Sequence, residues 1–414
     1  MLKPISIILC LLLVMSVVLC GCEAESEPEQ SSETEPTTQS VTAAPTTVAP
    51  TTTLPATVDN PKKTPKSVNY DYVAIKKKSG EIISQFDKII DDKKFSGAVY
   101  MKLGNDFEYI KTTGYANSEK HIDNSINTGF YVGDATKQFT AAAVLLLSEQ
   151  KKLSLDDTLD KYFPDYSKGA KITVRQLLTM TSGIKNYVCH NDITTPSNYL
   201  VSDINGAVKE NNSSEENKTI ILNWIFAQDI VFEPGTKFEE SESNYFLLGD
   251  IIEKASGESY YTFLDKSIHK PLGMGSTGFE PGKRIALPYE KQVVSQSLNY
   301  KGVGYSAFGM ISSVSDLLKW TDGLLSNQVL SAQSFEQMFT NQIESIKDSK
   351  TEYGFGVKLD GKTAMSSGRY DAFGSTLIYN TDKSEIFIAL TNSSVSNCKV
   401  ISDSLKKVLQ KYAV

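Results

Sequence analysis

Three short stretches of this chain carry residue types that do chemistry, at spacings that could bring them together. Asp134-Ala135-Thr136-Lys137 puts a carboxylate and an ammonium three positions apart, hence on one face if the segment is helical. Glu240-Ser241-Glu242 adds two more carboxylates, and Ser366-Ser367-Gly368-Arg369 adds hydroxyls and a guanidinium. Carboxylates gathered in one pocket can do acid/base work, hold a hard cation such as Ca²⁺, hydrolyse a glycosidic bond, or receive a cationic ligand. The plainer reading of Asp134 is a helix N-cap that also pairs with Lys137, because helix starts favour Asp and anions. Calcium needs several oxygens, and Lys137 would oppose it.

Other chemistries find less support. The three histidines, His121, His190 and His269, share no ligand spacing and no C-x-x-C pair accompanies them, which argues against zinc. There is no G-x-x-x-x-G-K-[ST] loop. We expect no metal and no cofactor. Net charge is −7, with 42 basic and 49 acidic residues, so the chain is no basic nucleic-acid binder.

The elements that must position these residues follow from periodicity. Val73, Ile82, Ile83, Phe86, Ile89 and Ile90 suggest a helix face, then Gly97–Met101 and Phe107–Ile110 read as strands around a turn at Gly104-Asn105-Asp106. Phe139, Ala142, Ala143, Leu146 and Leu147 fit a buried helix face. Thr376–Tyr379 and Ile386–Leu390 flank a turn at Asp382-Lys383, and Val400, Ile401, Leu405, Val408 and Leu409 form the face of a last helix. Strands at both ends around a helical middle predict an α/β body with one antiparallel sheet.

The chain's beginning is of another kind. Lys3, an apolar run from Ile7 to Leu19 and Leu19-Cys20-Gly21-Cys22 read as a signal peptide over 1–21. Its end resembles a bacterial lipoprotein box, which makes Cys22 a lipidated N-terminus and tethers the protein to the outer side of the cell membrane. Residues 22–68 are rich in Thr, Pro and Glu and lack aromatics until the body begins, so they are expected to form a disordered tether to a body at 69–414. Cleavage would remove Lys3 and no acid, taking the charge from −7 to −8. Cys189 and Cys398, 209 positions apart, give weak grounds for a disulfide.

A family resemblance rests on several motifs in order. They are Gly133-Asp134-Ala135-Thr136-Lys137-Gln138-Phe139-Thr140, Leu153-Ser154-Leu155-Asp156-Asp157, Thr173–Gly183, Pro234-Gly235-Thr236-Lys237-Phe238, Tyr245–Gly249 and Lys270-Pro271-Leu272-Gly273-Met274. This order, over about 69–414, resembles the serine β-lactamase and penicillin-binding-protein superfamily, nearest the class C, D-aminopeptidase-like and esterase-like branch. The resemblance implies a five-stranded antiparallel sheet flanked by helices, with an all-helical region inserted near 131–300. It also implies acyl transfer by a Ser-x-x-Lys nucleophile, a Tyr-x-Asn loop and a Lys/His-x-Gly strand.

The residues depart from that pattern at each place. Asp134 stands at the serine position, with Lys137 retained. Glu240 and Glu242 stand at the Tyr and Asn positions; a register shifted by two, Glu242-Ser243-Asn244, restores the Asn but not the Tyr. Ser366 stands at the Lys/His position, and Gly368 remains. A carboxylate attacking an amide would form a high-energy anhydride, and three carboxylates repel the carboxylate that penicillins and cell-wall peptides present. The expectation is therefore a surface-anchored, catalytically inactive binding protein for a cell-wall peptide, glycan or protein ligand. Its expected binding residues are Asp134, Lys137, Glu240, Glu242, Ser366 and Arg369. The alternative is a family enzyme with altered chemistry, or with a substitute hydroxyl at Thr136 or Ser182. Thr136 should project from a different face than Asp134, and Ser182 reads as structural. Glu239 should face solvent, Tyr187 and Tyr199 either line the cleft or pack, and Asn211–Asn217 reads as a polar loop.

Overall fold

The computed structural model describes residues 69–189, 200–280, 285–290, 293–294, 302–346 and 349–414. The expected signal peptide, Cys22, the tether and Tyr199 lie outside them.

Strands from both ends of the body meet in one sheet. β1 (Gly97–Leu103) and β2 (Phe107–Thr113) form a hairpin, turned at Gly104 with φ +60°. β3 (Glu352–Tyr353), β4 (Lys358–Asp360), β5 (Thr363–Tyr370), β6 (Phe373–Asn380) and β7 (Glu385–Thr391) follow near the C-terminus. The order is β2-β1-β7-β6-β5-β4-β3, and every neighbouring pair is antiparallel. Five strands have seven or eight residues, as the resemblance implied; two short ones at one edge bring the sheet to seven. Runs of two or three residues are too short to show an alternating pattern in the sequence.

Both faces of the sheet are covered. Along β1, Val99, Met101 and Leu103 join one core, and Ala98 and Tyr100 join the other. The first core is closed by α1 (Ser79–Asp92), through Ile82, Phe86 and Ile90, and by the last helix, through Ile401, Leu405 and Leu409. Two residues assigned to these faces are exposed: Val73 by 79% and Val400 by 43%. Val73 sits in a separate short helix, Tyr72–Lys77, ending at Lys78, so its phase is not that of α1. Val400 lies one residue off the 401/405/409 stripe.

The other core surrounds α2 (Thr136–Glu149). The sequence suggested one apolar face, but every residue from Thr136 to Leu145 is buried. Phe139 stacks on Trp320 of α5 (Val314–Leu325), with ring centroids 3.9 Å apart. The small residues Ala141–Ala143 help α4 (Glu242–Ser256) pack against this central helix. The stretch assigned to a polar loop divides at Ser213. Its hydroxyl caps α3 (Ser214–Ala227), Glu216 completes a capping box, and Asn217 is buried inside the helix.

Candidate functional site: a carboxylate-lined cleft

The site begins where β5 meets the entrance to α2. Gly133 has φ +53° and opens a 3₁₀ turn, Gly133–Ala135, that runs straight into α2. Asp134 is therefore not the N-cap that the sequence suggested. It lies inside the turn, where the Ala135 amide is met by the Val132 carbonyl and the Thr136 amide by backbone carbonyls of the same turn. Its carboxylate is left to reach Lys137, and Oδ1 accepts from Nζ at 2.8 Å.

Lys137 is enclosed, with 3% of its side chain exposed. Its second partner is Glu242, whose carboxylate accepts at 2.9 Å. Glu242 is the first residue of α4, where the helix dipole favours an anion, and its amide donates to Asn186 Oδ1 at 3.0 Å. Glu242 and Asn244, the two candidates for one motif position, lie in different surroundings. Glu242 faces Lys137, whereas Asn244 is buried, with Oδ1 accepting from Ser182 and Nδ2 directed at Met180 Sδ.

The electrostatics follow from one cation shared by two anions. Burial alone would lower the Lys137 ammonium, but the charges of Asp134 and Glu242 outweigh it and drive it above the usual lysine range. Burial pushes Glu242 the other way from an ordinary carboxylate, and although Lys137 opposes this, the charges of Asp134 and Glu240 add to it. The carboxyl is raised to about 7. Lys137 thus stays charged, while the Glu242 carboxyl is held well above the ordinary carboxylate range.

Glu240 sits on the loop before α4, about one-third exposed, and its Oε1 is 2.6 Å from Lys358 Nζ on β4. The loop is anchored by Phe238, whose ring lies 5.2 Å from that of Tyr353. Glu239 is exposed and pairs with Lys237 at 3.0 Å.

A buried hydrogen bond corrects one expectation. Ser366 does not line the cleft: it is buried, and its Oγ accepts from Gln138 Nε2 at 2.7 Å. Gln138 Oε1 in turn accepts from Tyr379 and Trp320, so Ser366 belongs to a buried network beneath the sheet. The next three residues face the space instead. Arg369 donates from Nη2 to the Ser394 carbonyl at 2.5 Å and from Nε to the Asp371 carbonyl at 3.3 Å.

The resulting cavity has a volume of about 510 Å³ and brings together Asp134, Glu240, Glu242, Val188, Ser367–Arg369, Gly374–Thr376 and Ser396–Lys399. The last segment was missed in the sequence, where no motif marks it. Among the described residues, no group of three or more His, Cys, Asp and Glu side chains is placed to hold a metal ion. The hydroxyls at the cavity pair with other groups. Ser367 and Thr376 share a hydrogen bond at 3.1 Å, Ser375 donates to the Val132 carbonyl at 2.6 Å, and Ser396 accepts from the Ser96 amide at 3.1 Å. None of them bonds to a lysine or histidine among the described residues. The two substitute hydroxyls are buried: Thr136 accepts from the Met310 amide, and Ser182 donates to Asn244. Tyr187 is fully buried and donates to the Val303 carbonyl, so it packs rather than lines. Cys189 and Cys398 are both free thiols, and burial pushes that of Cys398 up.

Comparison with known proteins places this architecture. The family profile described as Beta-lactamase matches residues 82–409. The putative penicillin-binding protein PbpX of Bacillus subtilis (strain 168) is 28% identical over 347 residues, covering 81% of either chain. Protein flp of Staphylococcus aureus (strain N315) is 28% identical over 329 residues, or 74% of this chain; the match spans 62% of flp, less than two thirds of its length. The crystal structure of a penicillin binding protein from Bacillus halodurans superposes with a TM-score of 0.69 at 23% identity, covering 78% of this chain and 99% of that one.

Proposed function

The chain belongs to the beta-lactamase family, and from that premise we propose that it is a binding protein of the cell envelope in which the family's acyl-transfer chemistry is silent. The observation that carries the reading is the state of Lys137. The family's lysine acts by taking a proton from a serine, and this one is locked as an ammonium between Asp134 at 2.8 Å and Glu242 at 2.9 Å. The position that should hold the hydroxyl is a carboxylate, and among the described residues no cavity hydroxyl has a lysine or histidine to activate it.

The proposal extends to location. A lipid on Cys22 and the tether over 22–68 hold the body at the outer face of the membrane, where its cavity meets a cell-wall peptide, a glycan or another protein. Metabolic labelling with an alkyne fatty acid should mark the chain and fail on Cys22→Ala.

Intact-mass spectrometry of the chain after incubation with a fluorescent penicillin and a fluorophosphonate tests the silence directly. Unchanged mass is the expected result. An adduct on any serine or threonine overturns the reading.

A second reading is favoured by Glu242 alone. A carboxyl raised to about 7 at a cavity wall suits general acid/base work, which would make the chain an enzyme of altered chemistry. It requires turnover that Asp134→Asn and Glu240→Gln abolish. No turnover of ester, amide or glycoside substrates eliminates it.

A further inference from the structure

Away from the cleft, four apolar residues stand in register across the sheet. Met101 on β1 is opposite Phe387 on β7, Phe387 is opposite Ile378 on β6, and Ile378 is opposite Met365 on β5. Directly paired residues share a face, so the four side chains form one row. Met101 and Phe387 are buried in the core that the last helix closes, whereas Ile378 and Met365 are only half-buried. The row is the floor of a second pocket, of about 180 Å³, which shares no residue with the carboxylate-lined cleft.

The rim of this pocket carries charges of both signs. Lys406 comes from the last helix, Cys398–Leu409, and Asp360 from the end of β4. They attract each other, but among the described residues neither side chain closes an ion pair or a hydrogen bond. The neighbouring carboxylates are engaged elsewhere: Asp403 is 2.7 Å from Lys399, and Glu385 accepts from the Tyr72 hydroxyl. Burial lowers the half-buried Lys406 ammonium below the usual lysine range, and Asp403, Asp360 and Glu385 offset this only in part. A desolvated ammonium without a partner gains from a carboxylate set against it.

We infer that this pocket binds a free α-amino acid with an aliphatic side chain. Its carboxylate meets Lys406, its ammonium meets Asp360, and its side chain lies on Ile378 and Met365. Simpler amphiphiles fit less well. A fatty carboxylate satisfies Lys406 but is repelled by Asp360 and Glu385, and an alkylamine leaves Lys406 unpaired. A zwitterion with an apolar branch answers both charges and the floor. A cavity of about 150 Å³ holds benzene, so this one has room for the side chain of leucine. The thioethers of Met101 and Met365 adapt to its branching.

The test is calorimetric titration of the full chain with racemic leucine. Two probes each lack one charge: 4-methylpentanoate has no ammonium, and 3-methylbutylamine has no carboxylate. Leucine should bind more tightly than either by about fivefold or more. Lys406→Met keeps the apolar stem and removes the charge, and it should weaken leucine by about the same factor. Asp360→Asn, at an exposed position, should do likewise and decides the matter if the first variant does not fold. Equal binding of leucine and a single-charge probe overturns the inference. So does the absence of leucine binding up to about 50 mM, or unchanged affinity in a folded variant. Affinity that falls in Asp134→Asn and persists in Lys406→Met would place the amino acid in the cleft instead, which also overturns it.

Discussion

Gly368 lies so close to Asp134 that a methyl group on the glycine would come within 2.4 Å of the Asp134 backbone nitrogen. The approach is between two backbones, so no side chain can swing aside. It seats β5 against the turn that presents Asp134, and it explains why a glycine stands here although the strand around it needs no unusual φ. Gly368→Ala should cost about 1–3 kcal/mol, the usual range for overpacking, read as a lower urea midpoint at unchanged slope.

Replacing the missing hydroxyl should not by itself restore acylation. In Asp134→Ser, Lys137 keeps Glu242 at 2.9 Å and remains an ammonium, so it cannot accept the serine proton. Intact-mass spectrometry with a fluorescent penicillin should show no adduct on Asp134→Ser and a measurable one on Asp134→Ser combined with Glu242→Asn. Labelling of the single variant would show that Glu242 does not hold the site silent.

Glu242 makes stability depend on pH in an unusual direction. Its carboxyl is raised to about 7 in the folded protein from an ordinary 4.5, so the folded state prefers the protonated form. The stabilisation is complete below pH 4.5 and is lost as pH rises through 7. Glu242→Gln lacks this titration. Urea denaturation at pH 5 and pH 8 should therefore show wild type losing ground to the variant at the higher pH.

His269 acts with the opposite sign. It is buried against Phe139, with ring centroids 6.0 Å apart, and its Nε2 has no hydrogen-bond partner among the described residues. Burial lowers it from 6.5 to about 4, against the pull of Asp265 and Asp316. Its contribution is complete above pH 6.5 and is lost as pH falls towards 4. His269→Gln should flatten the decline of the urea midpoint between pH 6.5 and 4, whatever its effect at pH 8.

What the sequence revealed and what it hid divide along the range of the interactions. The Asp134–Lys137 pair was legible because three positions of helical spacing bring those side chains together. The β1–β2 turn was legible in Gly104-Asn105-Asp106. The capping box at Ser213 and Glu216 was equally local and was overlooked among polar neighbours. Other features depend on partners far along the chain. Ser366 turns away from the cleft because Gln138, 228 positions earlier, offers it a buried amide. Ser396–Lys399 become a cavity wall through the path the chain takes after β7, which no pattern among those four residues announces. The short strands β3 and β4 owe their assignment to pairing with β5 and with each other rather than to their own composition.

The pairing of β1 with β7, Gly97 opposite Thr391 through Leu103 opposite Glu385, sets a timetable for manufacture. β1 is an inner strand with apolar side chains for two cores, yet the strand that shields one of its edges is synthesised long after it. Until Glu385–Thr391 has been synthesised, the hairpin of β1 and β2 stays open along that edge, presenting Val99 and Met101 on one face and Ala98 and Tyr100 on the other. A nascent chain interrupted before Glu385 is left with one edge of β1 unpaired, so premature termination favours aggregation over a smaller working body.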